Sequence, residues 1–110
     1  MTRVLLDENL PRKLKWSLEG EVLTVPERGW SGIKNGLLLK QAALEFDVLL
    51  TMDRGMPDQQ NLTGLALCVV LIAAPSNDLD DLLPLVPLIN AALARAIPGQ
   101  GIHVAASGLA

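Results

Sequence analysis

Two acidic residues stand side by side where an apolar run stops. In VLLDENLPRKL (4–14), Asp7 and Glu8 follow Leu6 and precede Asn9 and Pro11. Adjacent carboxylates repel, and each is costly to strip of water, so such a pair either faces solvent or has a cation between its members. A second acid, Asp53, closes another apolar run in VLLTMDRGMPDQQN (48–61), with Arg54 beside it. Ser76, Asn77 and Asp78 follow a third run in AAPSND. Carboxylates gathered with amide and hydroxyl oxygens form a hard donor set that suits Mg²⁺ or Mn²⁺. An ion held this way can activate water and stabilise charge in phosphodiester cleavage. The spacing equally admits a structural role, with Asp7 and Asn9 capping the next helix and Asp53 opening a turn.

Other chemistries find less support. One His and one Cys in separate strands make no zinc ligand set, so His103 reads as structural and Cys68 as a small buried hydrophobe. No nucleophile–His–acid arrangement is visible. RGWSGIKNG has three glycines, but they do not follow a strand at phosphate-loop spacing. Arg12, Lys13 and Lys15 cluster after the first acids, and with Arg3, Arg28 and Lys34 they can steer a phosphate backbone or merely solvate a helix face.

Elements of regular structure must bring these residues together. RVLL (3–6), VLTV (22–25), VLLTM (48–52), CVVLIA (68–73) and GIHVA (101–105) read as strands. The first, third and fourth carry little polarity, as strands covered on both faces of a parallel sheet do. Leu10, Leu14 and Leu18 recur at helical spacing, with Gly20 as a stop. GLLLKQAALE (36–45) predicts a second helix with Asn35 as its N-cap. A third is expected over 82–96, where Pro84 suits a first turn and Pro87 does not. Strands alternating with helices imply an α/β fold, a three-layer sandwich around a parallel sheet. Ligands in such folds collect beyond the carboxyl ends of the strands, where Asp7 and Asp53 lie despite being 46 residues apart.

The totals agree with one domain spanning 1–110, since 110 residues at 50% hydrophobic and 19% charged content supply a core. A net charge of −3 does not suit a general nucleic-acid binder, and with no Tyr and one Phe a base-stacking platform is not expected. The longest apolar run, 65–74, is about half the length that crosses a bilayer, and no secretory segment is evident, so a cytoplasmic protein with no membrane partner is expected.

Four blocks, LLDENLP, GWSGIKNGLLLKQAA, FDVLLTMDRGMPDQQNL and APSNDLDDLLPLVPLI, together resemble the small bacterial PIN-like family, related to the PIN-domain toxin nucleases of toxin–antitoxin modules. The resemblance covers nearly the whole chain. It implies a five-stranded parallel sheet in the order 3-2-1-4-5. It also implies a metal-dependent ribonuclease using Mg²⁺ or Mn²⁺, a homodimer, and a small antitoxin-like protein partner. Asp7 with Asn9 matches the family's Asp-x-Asn pattern, and Thr51 with Asp53 its Thr-x-Asp pattern. On this basis Asp7 and Asp53 hold the ion, while Glu8 completes the catalytic set as a further ligand or by orienting water. Asn9 and Asn35 support them, and Arg54, Gln60 and Asn77 contact phosphate or base. The chain departs from the family at Asn35, where PIN nucleases carry an acid.

Two other classes share some of these features. A response-regulator receiver domain also has an acidic pair after its first strand and an Asp ending its third, matched by Asp7, Glu8 and Asp53. It needs a hydroxyl ending the fourth strand, where Ala73 and Ala74 stand, and a Lys after the fifth, where none occurs. A non-catalytic interaction protein of PIN-like fold would instead use apolar surface such as Trp16, Trp30 or the Leu/Pro-rich last helix.

Overall fold

The computed structural model describes residues 2–56, 62–106 and 108–109. Five parallel strands form the sheet: β1 (Arg3–Leu6), β2 (Glu21–Thr24), β3 (Val48–Thr51), β4 (Cys68–Ala73) and β5 (Gly101–Ala105). A two-residue strand, β6 (Gly108–Leu109), adds antiparallel to β5. The fold is therefore the expected α/β class.

The strand order is β2-β1-β3-β4-β5-β6, not the 3-2-1-4-5 that the resemblance implies. The reason lies in which strands can be covered on both faces. All four residues of β3 are buried, as an interior strand requires, whereas β2 begins with exposed Glu21 and only Thr24 is buried. An edge position costs β2 little and would expose β3 needlessly.

Side chains alternate along each strand and so build two cores. Val4 and Leu6, Val48 and Leu50, and Cys68, Val70 and Ile72 face one way. They meet Leu10, Leu14 and Leu18 together with Leu82, Leu85, Ile89 and Leu93. Leu5, Leu49 and Val69 face the other way, against Leu38, Leu39, Ala42 and Phe46. Burying each Leu contributes about 1.5–3 kcal/mol before entropy is charged, so both helical layers are held by the sheet rather than by their own propensity.

The helices depart from the simplest reading of the sequence. Of Leu10, Leu14 and Leu18 only Leu14 lies within a helix, the 3-10 helix Arg12–Ser17 that Leu18 caps, because Pro11 enters it extended and cannot donate to a preceding turn. The chain then turns at Gly20, with φ +98° and a Thr2 carbonyl oxygen 2.5 Å from where a Cβ would sit. Only glycine satisfies both conditions. Helix α1 (Asn35–Glu45) is rich in strong helix formers and free of β-branched residues. Its N-cap is Lys34, not Asn35, and no side chain caps it. The expected last helix starts earlier and is divided into α2 (Leu79–Leu82), a 3-10 turn (Leu83–Leu85) and α3 (Val86–Ala94). Pro84 and Pro87 each sit at the start of a new segment, where the missing N–H is no loss. Among the described residues no helix is long and apolar enough to cross a membrane.

Candidate active site

The chain passes from β1 outward to β2 and then crosses to β3 on the other side of β1, so the switch in direction falls between β1 and β3. A crevice beyond the carboxyl ends at such a point is the usual ligand site of a doubly wound sheet. Register aligns Leu6 with Leu50, so Asp7 and Thr51 leave their strands side by side. The Asp7 N–H donates to the Leu50 carbonyl at 2.9 Å and extends the ladder by one residue.

Thr51 is the hub of the site. Its hydroxyl is fully buried and donates to Asp7 Oδ2 at 2.7 Å. The same oxygen accepts the Asp53 N–H at 3.0 Å and an Asn9 amide N–H at 3.2 Å. One hydroxyl thus bridges the acid after β1 to the acid after β3. The sequence patterns paired Thr51 with Asp53 but gave Thr51 no site role. The available signal was a polar residue closing an otherwise apolar buried strand.

The two acids sit in different environments. Asp7 is 6% exposed, and its Oδ1 accepts the Glu8 N–H at 2.9 Å. Burial pushes its carboxyl pKa up from the ordinary 3.8; the Thr51 and Glu8 hydrogen bonds oppose this, and the charges of Glu8 and Asp53 add to it. Asp53 is half-buried, with Oδ1 accepting the Gly55 N–H at 2.9 Å and Oδ2 accepting from Asn35 Nδ2 at 3.0 Å. Asn35 therefore reaches the site from the first residue of α1, giving a neutral donor where an acid would give charge.

The other expected residues are placed unevenly. Glu8 is exposed, and its carboxylate accepts the Gly32 N–H at 3.4 Å, directed at the loop before α1. Asn9 is consumed internally: its Oδ1 accepts the Met52 N–H at 3.3 Å while its Nδ2 binds Thr51. Asn77 donates to the Asn9 carbonyl at 3.1 Å. Arg54 is exposed on a 260 Å³ cleft lined by Met52, Leu71, Ile72, Ala73 and Ala74. Gln60 lies outside the described residues. Ser76 turns away, donating to Asp81 at 2.6 Å.

Comparison with protein-family models, with curated proteins and with solved structures finds no match. The chemistry of the site must be judged from its own residues.

Of the six basic residues that could steer a phosphate backbone, Arg3, Arg12, Lys13, Lys15, Arg28 and Lys34, three are already engaged. Lys15 pairs with Glu27 at 2.9 Å, Arg28 with Glu45 at 2.6 Å and Arg3 with Glu21 at 3.6 Å. Arg12, Lys13 and Lys34 are exposed with no carboxylate partner among the described residues.

Among the described residues no three His, Cys, Asp or Glu side chains cluster closely enough to enclose an ion. Mg²⁺, however, is commonly held by one or two carboxylates, with water and substrate phosphate completing the shell. Asp7 and Asp53 fit that pattern. Each of their oxygens takes one hydrogen bond from a described residue and keeps a second acceptor position. Their mutual charge also raises the pKa of Asp7, a penalty that a cation between them would relieve.

Proposed function

We propose that this chain is a metal-dependent ribonuclease whose ion is held by Asp7 and Asp53. The observation that carries the reading is the pair of acids at the β1/β3 switch point, joined through one buried hydroxyl and unpaired with any described cation. When bound, Mg²⁺ or Mn²⁺ would supply an activated water and charge stabilisation at the scissile phosphate. Arg54, Arg12 and Lys34 would receive the phosphate backbone, and exposed Glu8 would orient the attacking water. On the resemblance to PIN-like proteins we extend the proposal to the toxin half of a toxin–antitoxin module. That extension includes a small antitoxin-like partner, a homodimer and a cytoplasmic setting.

The strand order gives a second reading some weight, because 2-1-3-4-5 is also the order of receiver domains. A phosphoaspartate at Asp53 would need a neutralising lysine after β5, and residues 96–110 contain none.

Cleavage of single-stranded RNA tests the first reading. Activity is expected with Mn²⁺, is abolished by EDTA, and falls at least about 100-fold in both Asp7→Asn and Asp53→Asn, since ion-based stabilisation is worth several kcal/mol. Cleavage that persists in EDTA, or at parental rate in the double variant, overturns it.

A further inference from the structure

Asn9 ties three segments at the rim of the site. Its Oδ1 accepts the Met52 N–H just after β3 at 3.3 Å, and its Nδ2 donates to Thr51 Oγ1 at 3.2 Å. Its own carbonyl accepts from Asn77 Nδ2, in the segment after β4, at 3.1 Å. The side chain is only partly exposed, and both ends of its amide are already bonded within the protein. A residue so engaged offers little to an incoming base or phosphate. It instead fixes how the loop after β1, which carries Asp7, meets the end of β3, which carries Asp53.

We infer that Asn9 is a positioning residue, a brace that sets the separation of the Asp7 and Asp53 carboxylates, and not a contact for substrate. The inference rests on the proposed cation site for its consequence, but the brace itself is a matter of hydrogen bonding that can be read separately. Glycine or alanine at this position would free the Met52 N–H and remove one of two bonds accepted by Thr51 Oγ1. The remaining acceptor bond, from the Asp53 N–H, lies within the end of β3, which leaves the Thr51–Asp7 bond and the Asp7 N–H bond to the Leu50 carbonyl to tie the loop after β1 to it. Thr51 could then turn its hydroxyl away from Asp7. Outer partners of metal-holding side chains typically matter about 10–100-fold in affinity when removed.

Asn9→Ala and Asn90→Ala are compared with the parent by Mn²⁺ titration calorimetry, by RNA binding in EDTA, and by hydrogen exchange at the Met52 amide. The brace predicts Mn²⁺ affinity reduced about 10–100-fold in Asn9→Ala, RNA binding in EDTA unchanged, and faster Met52 exchange. It predicts all three near parental in Asn90→Ala, which removes an amide that accepts from the Glu19 N–H and donates to the Ser17 carbonyl, away from the acids. Should Asn9→Ala not fold, Asn9→Ser, too short to reach both partners, reports in its stead. Parental Mn²⁺ affinity with weakened RNA binding would make Asn9 a substrate contact and overturn the inference. If the parent itself binds no Mn²⁺, the cation site falls, and the Met52 amide alone decides: unchanged exchange in Asn9→Ala overturns the brace, and accelerated exchange upholds it.

Discussion

The two ends of the sheet both carry acids, and they treat them oppositely. At the amino end, Arg3 meets Glu21 at 3.6 Å, donates its backbone N–H to Asp47 at 2.8 Å and its guanidinium to the Glu45 carbonyl at 2.5 Å. Its guanidinium also lies 5.0 Å from the Phe46 ring centre. At the carboxyl end, Asp7 and Asp53 have no described cation; neutral hydroxyl, amide and backbone groups hold them instead. Glu21, matched by Arg3, and Glu45, matched by Arg28, are spent on the fold, while Asp47 is held by a backbone N–H. Acids gathered without a cation leave charge unsatisfied, and an incoming ion or phosphate-bound ion would satisfy it. Cavity size points the other way: a 380 Å³ cavity at the amino end, among Thr2, Asp47, Ala66 and Leu93, exceeds the 260 Å³ cleft beside Arg54. Charge balance is the better guide, because among the described residues lining the amino-end cavity Asp47 is the one ionisable group.

Arg3→Ala sharpens this contrast with the larger expected change in stability. It removes a charged hydrogen bond to a carbonyl, a cation–π contact and a surface ion pair, together worth about 2 kcal/mol. Urea unfolding should register that loss while Mn²⁺ affinity stays at the parental value. A fall in affinity would mean that the two ends are not separable.

A subtler probe is the pH dependence of stability. The folded state raises the Asp7 pKa, so it binds the proton more tightly than the unfolded chain does. The stability this confers is fully present below the ordinary value of 3.8 and is lost as pH rises through the raised folded value. In metal-free buffer, the stability of the parent relative to Asp7→Asn should therefore decline from pH 3.5 toward neutrality. A difference that grows over that range would show an Asp7 stabilised as the anion, and the account of a charge-strained site would fail.

Much of this arrangement was legible in the residues. RVLL, CVVLIA and GIHVA are strands with the expected bounds, because apolar β-branched runs between polar breaks have few other ways to be buried. That Asp7 and Asp53 follow neighbouring strands, linked through the Thr51 hydroxyl, accords with both ending such runs. The strand order did not come through, since the order taken from the resemblance kept β2 between β1 and β3. The exposed Glu21 opening β2 and the unbroken apolarity of β3 carried the correct signal. Asn35 read as a cap because Asn before a helical run usually is one, and only tertiary contact brings its amide to Asp53. Thr51 and the internal engagement of Asn9 depend on hydrogen bonds across 42 residues of sequence, which no local pattern encodes.

Whether Asp7 and Asp53 form one cation site can be tested without any substrate, by thermal melts in Mn²⁺ and in EDTA. An ion that binds only the folded state adds RT ln(1 + [L]/Kd), about 2.7 kcal/mol at a hundredfold excess over Kd. Millimolar Mn²⁺ should raise the melting temperature of the parent, and Asp7→Asn or Asp53→Asn should each remove most of that rise. A parent that melts at the same temperature in Mn²⁺ as in EDTA, or variants that gain as much from the ion as the parent does, would contradict a shared cation site.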